Sequence, residues 1–164
     1  MTAARALLDE EGPGGLTMRA VATRVGIRAP SLYVHFASKE VLEAAIAADA
    51  FKELGAAMSD APDLHALGRA YRAHARAHPH LYRLVNDRAL ARHLLPAGLE
   101  ARTADPLVRL AGGDGDLARA IWAFAHGMVM LELAGRFPPG ADLDAAWSSG
   151  IAALSPPGAA GEPL

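Results

Sequence analysis

The residues best suited to chemistry in this chain are two hydroxyls placed where helices should begin and four cations with no acid among them. Thr17 and Ser38 each precede a short apolar pattern. There a side-chain oxygen and the free N–H groups of a first helical turn can meet a phosphate. Between Glu11 and Glu40 no Asp or Glu occurs, whereas Arg19, Arg24, Arg28 and Lys39 fall in that stretch together with His35. The chain as a whole carries 16 Lys+Arg against 18 Asp+Glu, a net charge of −2. A general basic coat is therefore excluded, but a local excess of four positive charges stands out. Such a patch suits a nucleic-acid backbone, where attraction is mainly to phosphate.

The elements that must position these groups are marked by their punctuation. A first helix from about Thr2 to Glu11 ends at Gly12-Pro13-Gly14-Gly15, which cannot continue it. Thr17 caps a second helix, with Val21, Ala22 and Val25 turned inward and Gly26 in a left-handed end position. A third starts near Arg28 or Ala29, takes Pro30 in its first turn, and buries Leu32 and Phe36 as an i, i+4 pair. Ser38 caps a fourth, from Lys39 to about Met58, along which Leu42, Ile46 and Ala50 recur. Two short helices joined across one glycine make a helix-turn-helix, although spacing alone also fits an ordinary helical corner. With Leu32 and Phe36 inward, Arg28, Ala29, Ser31 and Tyr33 are left for a groove or its edges. Arg can fork onto guanine and Ala can meet a thymine methyl, while the Tyr33 hydroxyl and Lys39 suit phosphate. The competing readings are a half-buried packing role for Tyr33 and a helix-end cap for His35.

Composition points to an all-α chain. Of 164 residues 38 are Ala, whereas Val, Ile and Thr together number 15. Helices therefore have ample material and strands little. The absence of Cys excludes disulfides, thiol catalysis and thiolate metal sites. There is no Ser/His/Asp order, paired-carboxylate motif or phosphate loop, so no enzyme and no cofactor are expected. Glu132 lies six residues from His126 and does not share its face well. His74 and His78 stand at i, i+4, a zinc-compatible spacing, but no carboxylate lies between them and Pro79 breaks the helix before His80. A polar helix end, without metal, is the expectation. No apolar run reaches the ~18–20 residues of a membrane span, and no signal segment is visible, so a soluble cytoplasmic protein is expected.

Asp60-Ala61-Pro62-Asp63 offers the first boundary. Beyond it the pattern predicts helices at about 63–78, 79–86, 88–93, 97–111, 116–134 and 142–154, then a disordered Pro/Gly/Ala-rich tail. The segment Ile121 to Glu132 is apolar on nearly every side, which calls for burial on every side. A second copy of the chain is the economical partner. The expected homodimer interface is a four-helix contact through Ala118, Ile121, Ala125, Met128 and Val129 with Trp147, Ile151 and Leu154. Two-fold symmetry would set two reading helices about 34–36 Å apart, one turn of duplex DNA.

Together these residues carry a resemblance. Leu16-Thr17-Met18-Arg19-Ala20-Val21-Ala22, Val25-Gly26-Ile27, Ala29-Pro30-Ser31-Leu32-Tyr33-Val34-His35-Phe36 and Ser38-Lys39-Glu40-Val41-Leu42 look like the DNA-binding domain of the tetracycline-repressor (TetR) family. Trp122, His126 and Gly127 resemble the Trp-His-Gly signature of one C-terminal class in it. The resemblance implies a helix-turn-helix domain at 1–45, a helical ligand-binding and dimerisation domain at 46–155, and a tail at 156–164. It implies a dimeric transcription factor, usually a repressor, released from double-stranded DNA by a small molecule. It assigns phosphate contacts to Thr17, Tyr33, His35 and Lys39, and base readout to Arg19, Arg28, Ala29 and Ser31, with Pro30 among them on the reading helix. It also implies an effector pocket, with Tyr71, His74, Tyr82, Trp122, Phe124 and His126 as candidates; that mix suits an apolar ligand with one or two polar atoms. Family members usually carry several residues, often basic, before the first helix, and here the chain starts inside it. That start leaves, as an alternative, a small-molecule-binding protein with weakened DNA binding.

Overall fold

The structure, a computed structural model, describes residues 1–155 except 88 and 90. Among the described residues there are helices and turns and no strand. The helices are α1 (Thr2–Gly15), α2 (Met18–Arg24), α3 (Ala29–Tyr33), α4 (Lys39–Met58), α5 (Leu64–Ala77), α6 (Pro79–Asn86), α7 (Leu99–Leu110), α8 (Gly115–Leu133) and α9 (Leu143–Leu154), with a 3-10 turn at Arg92–Leu94. Most of the predicted helices are present within a residue or two. The exceptions are α1, which runs four residues past its expected end at Glu11, the short one read at 88–93, of which the 3-10 turn is what the described residues contain, and the tail, which lies outside them. Among the described residues no helix is long and apolar enough to cross a membrane.

Side-chain oxygens start five of these helices. Thr17 Oγ1 accepts from Ala20 N–H at 3.1 Å and Ser38 Oγ from Val41 N–H at 3.2 Å. Asp63, Asp114 and Asp142 do the same for α5, α8 and α9. Gly12 breaks the first helix where expected: its φ of 70° and ψ of −176° kink the chain, and one more helical turn follows through Pro13 to Gly15. Gly26, with φ 73°, ends the loop after α2.

The chain packs as two units. Of the described residues, the first contains those of 1–53 and 78–100, the second those of 54–77 and from 101 onward. Neither is continuous in sequence. The 45/46 division read from the sequence places α6 in the second domain, whereas its strongest packing is on α1. Leu81 of α6 joins Leu7, Leu8, Leu16, Val21, Leu32, Leu42 and Ile46 in one buried cluster. The physical reason is that Leu81, Leu84 and Val85 form an apolar stripe that finds its complement on α1, far away in sequence.

In the second unit α5, α8 and α9 pack together. Gly68 of α5 lets Ile151 approach: a Cβ there would stand 2.5 Å from Ile151 Cδ1. The Phe124 ring fills the space beside Gly150 and meets Trp147 edge-on at 5.8 Å. At the centre Arg72 Nε donates to Glu132, the Trp147 indole N–H donates to the same carboxylate, and Arg72 also reaches Asp144. The Arg72 guanidinium carbon stands 5.6 Å from the centre of the Trp147 ring. Burial works against the charge on Arg72, but its two carboxylate partners outweigh that and raise its pKa.

The packing corrects the expected dimer contacts. Ala118, Ile121, Ala125 and Val129 are all buried inside the single chain, and so are Trp147 and Ile151. Met128 and Leu154 are partly covered. The six buried side chains form the second unit's own core, so they are not a surface for another copy, whereas Met128 and Leu154 keep part of their surface open. An apolar-all-round helix does not say which stripe its own chain covers.

Candidate nucleic-acid interface

The geometry of α2 and α3 follows from a few buried side chains. Met18, Val21 and Ala22 fix α2 on the first unit's core, and Leu32 fixes α3. Phe36 packs on the same cluster. Val25 does not: it is 45% exposed, contrary to its expected inward position. The chain is already leaving the helix there, with Val25 at its C-cap and Gly26 left-handed behind it.

Seven of the nine residues singled out for nucleic acid are open to solvent: Thr17, Arg19, Arg28, Pro30, Ser31, Tyr33 and His35. Lys39 is partly covered and pairs with Glu43 at 3.3 Å along α4. Ala29 is the exception that matters. It is partly buried against the core cluster, so its methyl faces the protein more than a groove. The four-charge patch is also smaller than its sequence count. Arg24 forks onto Glu10 through two bonds of 2.6 Å. The shared hydrogen bonds hold the Glu10 carboxyl below its ordinary value, with burial opposing and the Arg24 charge adding to the effect, and they raise Arg24. Glu10 precedes the acid-free stretch, and only the fold brings it back to α2. No carboxylate partner is seen for Arg19 or Arg28 among the described residues.

An open groove of about 430 Å³ lies along α1 and α2, lined by Leu7, Glu11, Thr17, Arg19, Ala20, Thr23 and Arg24. The Thr23 hydroxyl was missed in the sequence; its place six residues after Thr17 gives no motif signal. Val34 was missed too, although the inward Leu32 and Phe36 already imply that it points out.

The effector candidates fall in both units. Tyr82 is buried in the first unit, whereas Tyr71, His74, Trp122, Phe124 and His126 belong to the second. Tyr71 is core and Phe124 is a packing residue on Trp147. Trp122 and His126 stack at 5.8 Å, with Trp122 half exposed. The Arg72–Glu132–Trp147 cluster had no sequence signal except a lone Glu in an apolar helix.

A capped α2, a glycine turn and a short α3 with an exposed face define a helix-turn-helix protein, here joined to a helical second unit. Comparison with known proteins agrees. Residues 1–46 match the family of bacterial regulatory proteins named for TetR, and residues 64–154 match the tetracycline-repressor-like C-terminal domain. The chain belongs to the TetR family. An uncharacterised HTH-type transcriptional regulator of Mycobacterium tuberculosis is 31% identical over 145 residues, covering 78% of this chain; the chain spans 66% of that relative's length. A possible TetR family transcriptional regulator from Streptomyces coelicolor A3(2) is similar in structure, with 28% identity and a TM-score of 0.64, over 93% of this chain and 85% of that one. A protein of unknown function from a Rhodococcus species shows 25% identity and a TM-score of 0.76, over 93% and 90%.

Proposed function

We propose that the protein is a dimeric, ligand-responsive DNA-binding regulator, a repressor that a small apolar molecule releases from its operator. The observation that carries the reading is the exposed side of α2 and α3. Among the described residues Arg19 and Arg28 stand there without a carboxylate partner, beside the capped start of α2 and the exposed Tyr33 and His35. Arg28 and Arg19 are the candidates for forked contact with guanine edges, with Ser31 beside them. Thr17, Tyr33, His35 and Lys39 are the candidates for phosphate, and set register rather than sequence preference.

A dimer would use the side of α8 opposite its buried stripe. Ala120 and Ala123 are exposed there, Gly127 and Met130 are partly so, and Leu131 is 44% exposed. A Cβ on Gly127 would meet nothing within 4 Å. On α9 the corresponding exposed residues are Ala145, Ala152 and Ala153. Small side chains let two helix pairs approach closely, and the apolar surface left open by one chain is what a second copy would cover. For the effector, the open Trp122–His126 stack is the favoured contact, with His74 as a further polar candidate. Release from DNA requires the effector to favour the non-binding arrangement. Turning a 1:99 population into 99:1 takes about 5.5 kcal/mol of preference.

Selection of duplexes from a random pool, followed by fluorescence anisotropy, tests the DNA reading. An enriched palindromic site, weakened by Arg28→Ala more than random duplex is, supports it; equal weak binding to all duplexes overturns it. Sedimentation equilibrium tests the dimer. Ala123→Glu is expected to give monomers, and a wild-type monomer at tens of micromolar (roughly the range where a weak dimer would form) counts against it.

A further inference from the structure

We propose that Val34 reads a thymine methyl in the major groove and so sets part of the operator sequence. The inference rests on the DNA-binding reading above. Val34 is 83% exposed, the highest value among the exposed large hydrophobic side chains. At that exposure it contributes almost nothing to the core. A lone apolar side chain on a surface is ordinary, but the place of this one is not. Helical geometry continues through Val34, whose φ and ψ are −65° and −32°. Phe36 N–H bonds to Leu32 O at 2.9 Å, so Leu32 and Phe36 lie one turn apart on the inner side. Val34, midway between them, faces directly outward. One turn earlier on the same face is Pro30, and three residues earlier is Ser31, both exposed.

This outward face of α3 therefore carries a pyrrolidine ring, a hydroxyl and an isopropyl group, and no charge. Groups that bond strongly to base edges or phosphate stand at its margins, as Arg28 before it and Tyr33 and His35 beside it. An isopropyl group gains nothing from a phosphate or from a donor or acceptor on a base. The apolar feature of the major-groove floor is the thymine C5 methyl. Ala29, the residue first expected to meet that methyl, is turned toward the core. The role passes to Val34.

Replacing thymine by deoxyuridine removes that methyl and leaves base pairing intact. With the full chain and a duplex selected from a random pool, deoxyuridine is substituted at each thymine in turn. At one thymine per half-site wild type is expected to bind about fourfold more weakly, the effect of one methyl-sized burial. Val34→Ala should bind the thymine duplex more weakly and lose the distinction at that position. Val34→Thr, which keeps one methyl, should retain part of it. Lys39→Ala should weaken thymine and deoxyuridine duplexes alike and preserve their ratio. Thermal melting should show both Val34 variants folded as wild type, as the exposure of the site requires. If no deoxyuridine is discriminated, or if Val34→Ala discriminates as wild type does, the inference is wrong while the regulator reading stands. If no duplex is enriched at all, both fall.

Discussion

The outer side of α3 and the outer side of α8 both have an apolar centre, but their frames differ. Val34 and Pro30 are ringed by an arginine, a tyrosine hydroxyl and an imidazole. Ala120, Ala123 and Gly127 continue instead into Met130 and Leu131, with more methyl surface on α9. Polar groups around a small apolar spot suit a polymer with charged edges and a few methyls on its floor. A long, smooth apolar strip suits another strip like itself. The lesson is that the margin of an exposed face, more than its centre, is what sets the proposed reading surface apart from the proposed docking surface.

The contrast rests on knowing what is inside, and the largest effects test that. Glu132→Ala would leave Arg72 without its less exposed carboxylate and strip the Trp147 indole of its acceptor. Breaking this part-buried pair is expected to cost about 2–3 kcal/mol, measured by urea unfolding; a loss under about 1 kcal/mol, typical of a surface pair, would show that the cluster is not structural. Leu8→Ala, at a fully buried site, should cost about 3 kcal/mol, whereas Val34→Ala should change stability by less than about 0.5 kcal/mol. Comparable losses in the two variants would erase the distinction between the inner and outer sides of the first unit. Thr17→Ala removes the α2 cap and should cost about 1 kcal/mol. It should also weaken binding to selected and random duplexes by the same factor, which anisotropy would read.

The smallest effect concerns the exposed Glu10–Arg24 fork. Because the folded-state pKa of Glu10 is lowered, its contribution to stability is present above the ordinary carboxylate value. It is lost as pH falls through the lowered one. Glu10→Gln should flatten the acid limb of a melting-temperature profile slightly. It should also release Arg24 and steepen the salt dependence of binding to random duplex; an unchanged slope would mean that Arg24 does not reach phosphate.

Most of the helices, and the caps at Thr17 and Ser38, were legible from the residues alone. Each of these two side chains accepts from a backbone N–H three positions further on. Spacing of three and four residues likewise fixed Leu32 and Phe36 as the inner pair of α3. The exposed face of α3 follows from that pair. So does Val34, although it was not singled out.

Which face of α8 would be covered, and by what, was decided only in three dimensions. Nearly every side of that helix is apolar, so its sequence permits several buried stripes. The one chosen depends on Gly68 admitting Ile151 and on Arg72 meeting a carboxylate 60 positions away. In the same way α6 joined the first unit through Leu81, and Glu10 returned to neutralise an arginine of α2. Local hydrogen bonding and helical periodicity act within about one turn and can be read from neighbours; burial is a pairing between distant surfaces, and it exists only once the chain has closed on itself.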